Sequence, residues 1–371
     1  MPKHNGMDAL DRPSKILFVN PYGIGDVLFT TSVLSLVKKH FPESVVGYLC
    51  NERTKAVLEA NPMVDQLFVF EKDLYRKLWK ESKKKCFGEF TSLLRQIKQQ
   101  RFEVVLDYSL SRQFGFFLAA LGIPIRIGYN YRGRGTFLNR KVEIEGYRGQ
   151  PMPVFYCRLL RELKLPLDDN TIPPMQYPLA GTVTEWAEEF LGSQGISKKE
   201  RFIAVHPGGG MSWGSNAIYK RWPVTSFVKL IKLLRGHYGV KILLLGDPLD
   251  SPTILSMSAE LNDPGVINIS GKTALNQLAA ILGQSWFVVC NDGGPLHIAV
   301  SRGARTVSFF GPVDETVYGP FPRDGHLVLT NPVECRPCYQ NFKFPLCPYE
   351  YRCLKELAVE YAFGRIKEVL N

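Results

Sequence analysis

Short unbroken apolar runs alternate along the chain with longer stretches in which apolar residues recur at helical spacing. In the first half, KILFVN (15–20), SVVGYLCN, DQLFVFE, FEVVLDY and IRIGYN predict strands. Between them, DVLFTTSVLSLVKKHF, RTKAVLEAN, a charged stretch at 74–100 and SRQFGFFLAALG predict helices. Such alternation implies a parallel sheet with helices on both faces.

The stretch LPLDDNTIPPMQYPLAG, around 165–180, is rich in proline and turn formers and reads as a linker. The alternation then restarts. RFIAVHPGGG, KILLLGD, VINIS, WFVVCND and TVSFFG predict strands, and PVTSFVKLIKLLRGHYG, ALNQLAAILGQ and PLHIAVSRG predict helices. A terminal amphipathic segment, CLKELAVEYAFGRIKEVLN, closes the chain. The expected architecture is therefore α/β, with two Rossmann-like parallel-sheet domains facing a central cleft. Their expected bounds are 1–178 and 179–350, with 351–371 a helix packing back towards the first domain. In open sheets of this kind, ligands bind at the carboxyl ends of the strands.

A chain of 371 residues is long enough for two hydrophobic cores. Its longest apolar stretch, FGFFLAALGIPI at 114–125, falls short of the roughly 20 residues a membrane span needs. Residues 1–14 lack an apolar signal core, so the expected location is cytoplasmic. The formal net charge is +11, unevenly spread. Ten Lys or Arg lie between Lys72 and Arg101, and Arg126, Arg132, Arg134, Arg140, Lys141 and Arg148 form a second basic patch. Either these are solvated faces or they attract a polyanion: an anionic membrane surface, a phosphorylated substrate or a nucleic acid. Nucleic acid is the weakest of the three, because no binding motif accompanies the charge.

Four of the eight cysteines cluster as Cys335, Cys338, Cys347 and Cys353. In a reducing cytosol disulfides are disfavoured. That leaves two readings: a tetrahedral structural zinc site, or four reduced thiols used in packing.

Candidate chemistry concentrates at glycine-bearing turns. NPYGIGDVLF (20–29) joins a strand to a helix, yet Gly23-x-Gly25 lacks the third glycine of a dinucleotide fingerprint. An ionised Asp26 would also repel a pyrophosphate held there. Asp26 is either a helix N-cap or a base that takes a proton from a substrate hydroxyl, with Gly23 and Gly25 admitting a bulky acceptor. The second half carries features that favour anions instead. Gly208 and Gly209 lie in VHPGGG, and Lys220 and Arg221 precede a helix expected to open at Pro223. NDGGPLHIAV puts Asp292, Gly293 and Gly294 before a helix starting near Pro295, with His297 in its first turn. Asp292 is a cap or a ligand for sugar hydroxyls. Asp247 and Asp250 are turn formers or acceptors of ribose hydroxyls.

In order along the chain, KILFVNPYGIGDVLFTTSVLSLVKKHFP, GYNYRGRGTFLNRKV, HPGGG with YKRWPVTSF, GKTALNQLAAIL and NDGGPLHIAVSRGARTVSFFGP resemble the heptosyltransferase family, glycosyltransferase family 9. The cysteine cluster resembles a terminal segment of many members. The resemblance implies a GT-B fold, with the acceptor on the first domain and the nucleotide sugar on the second. It also implies transfer of heptose from ADP-heptose to a lipopolysaccharide core, with inversion and no catalytic metal or other cofactor. By motif, Asp26 matches the base and Lys220 the lysine that neutralises the donor diphosphate. Gly208, Gly209, Arg221, Asp250, Asp292, Gly293, Gly294 and His297 would bind the donor, and Gly23, Gly25, Arg112 and Arg132 the acceptor. The stretch MSWGSNAIY before KRWP is longer than the family pattern, and the glycine turn at Gly294 varies among members, so the donor sugar is left open. Implied partners are a nucleotide sugar, a lipid-linked or phosphorylated saccharide and an anionic membrane surface. Two other readings remain: a nucleotide-dependent oxidoreductase, against which the missing third glycine counts, and a nucleotide-sugar-binding protein without turnover, against which Asp26 and Lys220 count.

Overall fold

The computed structural model describes residues 12–208 and 217–370. The chain divides into two compact units, one of residues 1–147 and 152–178, the other of residues 148–151 and 179–371.

The first unit holds β1 (Lys15–Val19), β2 (Val45–Cys50), β3 (Gln66–Val69), β4 (Val104–Asp107), β5 (Ile125–Tyr131) and β6 (Arg140–Ile144). They form one parallel sheet in the order β3-β2-β1-β4-β5-β6. The second unit holds β7 (Phe202–His206), β8 (Lys241–Leu244), β9 (Val266–Asn268), β10 (Phe287–Asn291), β11 (Arg305–Phe310) and β12 (His326–Thr330). Its order, β12-β11-β10-β7-β8-β9, repeats that of the first sheet, with β7 and β10 in the places of β1 and β4. Both sheets are thus doubly wound in the dinucleotide-fold order, and each has a switch point between its first and fourth strands. This is the expected α/β class.

The central strands are legible because helices cover them on both faces. Ile16 to Val19 and Phe287 to Val289 are fully buried and read as unbroken apolar runs. The edge strands β6 and β12 were not predicted. Only one face of each is covered, so RKVEI and HLVLT alternate in exposure rather than forming a run. The charged stretch at 74–100 is two helices, Lys72–Glu81 and Lys83–Gln100. Ser82 breaks them: it is extended (φ −160°, ψ 110°), and its hydroxyl accepts the Lys85 N–H at 3.3 Å, capping the second helix.

The terminal helix, Val359–Leu370, buries Ala362 and Ile366 fully in the second unit's core, beside Trp222, Phe227 and Phe309. Residues 351–371 belong to that unit. Trp222 is the largest fully buried side chain there. Its indole stacks on Phe309 at 4.1 Å, meets Phe227 edge-on at 5.2 Å, and donates its N–H to the Leu357 carbonyl at 3.0 Å. Trp222→Ala should therefore cost about 3–5 kcal/mol, read as a lower urea midpoint for unfolding of the second unit; an unchanged midpoint would show that this core does not depend on the indole.

Candidate functional site

The candidate residues sit at the carboxyl edges of the two sheets. In the first unit, the turn after β1 leads into the helix Ile24–His40, whose N-cap is Gly23. Asp26 is therefore not the N-cap but the third helical residue. Its Oδ2 accepts the Gly23 N–H at 3.2 Å, reaching back as the acidic half of a capping box does. Its Oδ1 accepts the Tyr156 hydroxyl at 3.3 Å. Gly23 is extended (φ −72°), a conformation open to any residue, so its backbone does not explain the glycine. Asn20, fully buried, donates to the Asp26 carbonyl at 3.0 Å, and the Tyr22 hydroxyl donates to the Ser109 carbonyl. These bonds tie the β1 turn to the loop after β4, across the switch point.

Arg112 opens the helix Arg112–Ala120 beyond β4, with its guanidinium over the Phe137 ring at 6.0 Å. Arg132 directly follows β5 and lies over Tyr131 at 5.1 Å. Both are exposed on the carboxyl edge that carries Asp26. Asp107 was not predicted as a site residue. It ends β4 opposite Val19 of β1, is buried, and accepts the Ser109 N–H at 2.8 Å. Burial pushes its carboxyl up to about 6. In the sequence it reads only as the last residue of a strand.

In the second unit, Lys220 and Asp292 form a buried ion pair at 2.6 Å, each side chain only 4% exposed. Burial raises the Asp292 carboxyl, and the Lys220 ammonium opposes that rise. Asp292 is thus neither a helix cap nor a residue open to solvent: Gly293 is the N-cap of the helix Gly294–Ser301, with Pro295 in its first turn. At the other predicted helix start, Pro223 is the N-cap of Val224–Tyr238, one position before the expected one.

The residue that assembles this edge is Asn291, also absent from the predicted set. Its Oδ1 accepts the Trp222 backbone N–H at 2.9 Å, and its Nδ2 donates to the carbonyls of Pro207 and Gly208 at 2.8 and 3.1 Å. One buried amide therefore joins the ends of β7 and β10 to the backbone beside Lys220 and Arg221. Arg221 pairs with Asp250 at 3.2 Å. Asp247 is a turn former, accepting the N–H groups of Leu249 and Asp250 at 2.7 and 3.0 Å. Asp250 caps no helix through its side chain; its carboxylate lies over Gly208, where any Cβ would collide with it. Gly209 lies outside the described residues.

His297 is buried, and desolvation, with the Lys220 charge adding, pushes its imidazole down to about 3. It is neutral at physiological pH. Burial also lowers His206, against the opposing charge of Asp250.

The sequence left two readings of the cysteine cluster open, a zinc site and reduced thiols used in packing. Among the described residues no group of three or more His, Cys, Asp or Glu is arranged to hold a metal. Cys353 is buried, and its thiol is pushed up to about 11 by desolvation and then by Cys338, Cys335 and Cys347; Cys338 is raised too. Cys347 Sγ accepts the Tyr351 N–H at 3.3 Å.

The sequence profile of glycosyltransferase family 9 (heptosyltransferase) matches residues 90–344. Lipopolysaccharide heptosyltransferase 3 of Escherichia coli is 22% identical over 303 residues, covering 80% of this chain and 83% of the relative. A glycosyl transferase family 9 structure from Veillonella parvula superposes with a TM-score of 0.80 at 21% identity, covering 97% of this chain and 98% of the other. The E. coli heptosyltransferase WaaC with ADP gives 0.71 at 18% identity, covering 95% and 99%. The likeness to these structures identifies the two-sheet fold as GT-B-like.

The neutral His297 sets a pH dependence. Its folded pKa lies below the ordinary value of 6.5, so below that pH the unfolded chain takes up a proton that the native state refuses. Stability should fall on acidification from about 6.5 towards about 3, by up to roughly 1.4 kcal/mol per pH unit. Urea titrations between pH 7 and 5 should show a shallower loss for His297→Gln than for the wild type. Equal slopes would mean that His297 does not resist protonation.

Proposed function

The chain belongs to glycosyltransferase family 9, and from that membership we propose that it transfers heptose from ADP-heptose to a lipopolysaccharide core, inverting the anomeric centre. The relatives' names support the donor and acceptor classes: one is a lipopolysaccharide heptosyltransferase, and another was solved with ADP. The observation that carries the reading is the contrast between corresponding edges of two sheets of the same order. One presents the Asp26 carboxylate; the other presents Lys220, Arg221 and the amides that open the helix Gly294–Ser301.

The chemistry follows from that contrast. Asp26 takes the proton of an acceptor hydroxyl, and the acceptor oxygen attacks the anomeric carbon from the side opposite the diphosphate. The bond between that carbon and the diphosphate oxygen breaks, and the nucleoside diphosphate leaves with the bonding pair. The Tyr156 and Gly23 hydrogen bonds hold the Asp26 carboxylate in a fixed orientation, as a positioned base requires. Negative charge growing on the leaving group meets the helix amides and the Lys220 ammonium, which Asp292 has already oriented. Arg112 and Arg132 are suited to anionic groups of the acceptor.

Asp26→Asn should keep the fold and the affinity for ADP-heptose while lowering turnover about 10²–10⁴-fold, the usual share of a general base. Near wild-type turnover would remove Asp26 from the reaction. Lys220→Ala alone would strand the Asp292 carboxylate in the core, so the informative variant neutralises both partners. Lys220→Met with Asp292→Asn should fold and bind ADP-heptose at least about tenfold more weakly by calorimetry, the loss of one charge-assisted contact. Unchanged affinity would place the diphosphate elsewhere.

A further inference from the structure

The helix pair Lys72–Glu81 and Lys83–Gln100 carries more apolar surface than its own unit covers. On the first helix Leu74, Tyr75, Leu78 and Trp79 share one stripe, at spacings i, i+1, i+4 and i+5. Tyr75 is packed inward, stacking on Phe70 at 4.9 Å and meeting Phe90 edge-on at 5.8 Å, and Leu78 is buried. The second helix turns Cys86, Leu93 and Ile97 to the same interior. The margins of the stripe stay in solvent: Leu74 is 49%, Trp79 57% and Phe87 68% exposed. A single exposed apolar residue is ordinary, but three bulky ones at the rim of one helix pair are a patch.

The charge around that patch is predominantly positive. Between residues 72 and 85 lie Lys72, Arg76, Lys77, Lys80, Lys83, Lys84 and Lys85, against Asp73 and Glu81 only. Both acids are engaged locally, Asp73 with Arg76 at 3.3 Å and Glu81 with Lys77 at 3.9 Å. The excess rests on Lys72, Lys80 and the Lys83–Lys85 run, all exposed, and Lys83 Nζ lies over the Trp79 ring at 5.4 Å.

We propose that this helix pair is a docking surface for an anionic lipid bilayer, with Trp79, Phe87 and Leu74 entering the headgroup boundary and the lysines meeting lipid phosphates. Tryptophan and phenylalanine beside lysines on an amphipathic helix match that boundary in polarity, the ring in the apolar layer and the ammonium at the phosphate plane. A second copy of the chain fits poorly, because two such faces would bring like charges together. A nucleic acid satisfies the lysines but offers no hydrocarbon to Leu74 and Phe87. The proposal goes beyond glycosyl transfer and does not depend on it, since binding is measured without donor or acceptor.

The test uses the purified full chain and sedimentable vesicles of phosphatidylcholine, with or without phosphatidylglycerol. The chain should sediment with the anionic vesicles, not with the neutral ones, and be released as salt rises. Replacing Lys83, Lys84 and Lys85 with Gln should lower the partition coefficient roughly a hundredfold, from the usual contribution of each lysine near an anionic surface. The tryptophan emission should shift to the blue on binding, and Trp79→Phe should abolish that shift. All these positions are exposed, so the variants should melt with the wild type. Failure to bind anionic vesicles, or equal binding to neutral ones, overturns the proposal. So does duplex DNA binding that matches vesicle binding, which would give the face to nucleic acid, or self-association that the variants abolish while vesicle binding persists.

Discussion

The second unit is built around a charge it cannot leave unpaired. Lys220 and Asp292 are both buried, and at 2.6 Å each supplies the partner that makes the other's burial tolerable. Removing one side of such a pair costs about 3–5 kcal/mol, because the remaining ion is stranded in a poorly polarisable medium. The fold holds the pair in place with two anchors that are not charged. Trp222, locked between Phe227 and Phe309, fixes the backbone two residues beyond Lys220, and Asn291 fixes the residue before Asp292 by bonding across to that same backbone. The ammonium is thereby delivered to the start of a helix whose first amides have no intrahelical partner. A cation and bare amides at one point are the arrangement on which the proposed diphosphate site rests.

The first unit has the same strand order and uses its switch point differently. Its helix after β1 begins at Ile24, and the N-terminal end is taken up by Asp26, which bonds back to Gly23. A carboxylate in that position satisfies the helix end internally and leaves no attraction for an outside anion. Tyr156 adds a second donor to the carboxylate, and the buried Asp107 closes the neighbouring strand end. Two sheets of one topology thus acquire opposite electrostatic character from a few residues at corresponding turns. The proposed mechanism rests on that opposition: deprotonation of one substrate at one turn, release of a diphosphate from the other substrate at its counterpart.

Much of this was legible in the sequence, for a physical reason. Central strands of a parallel sheet are dry on both faces, so KILFV and FVVCN stand out as unbroken runs, and glycine turns mark their carboxyl ends. The edge strands β6 and β12 were lost because half-covered strands alternate and resemble loops. Asp26 was recognised as the notable residue of its turn, but its place in the helix was not: glycine gives no side-chain signal as a cap, so the helix seemed to start three residues late. Asn291 was overlooked because an asparagine before Asp-Gly-Gly looks like turn chemistry, whereas its bonds run to Pro207, Gly208 and Trp222, far away in sequence. Lys220 was predicted to face a diphosphate; that Asp292 already holds it could not be read from either residue's neighbours.

The division of roles between the two units is tested most directly by the crystal structure of the protein with a non-hydrolysable ADP-sugar. The account predicts both phosphorus atoms beside Lys220 and the first turn of Gly294–Ser301, with the carboxylate of Asp26 clear of phosphate oxygens. Phosphorus density lodged in the turn at residues 23–26 would contradict it.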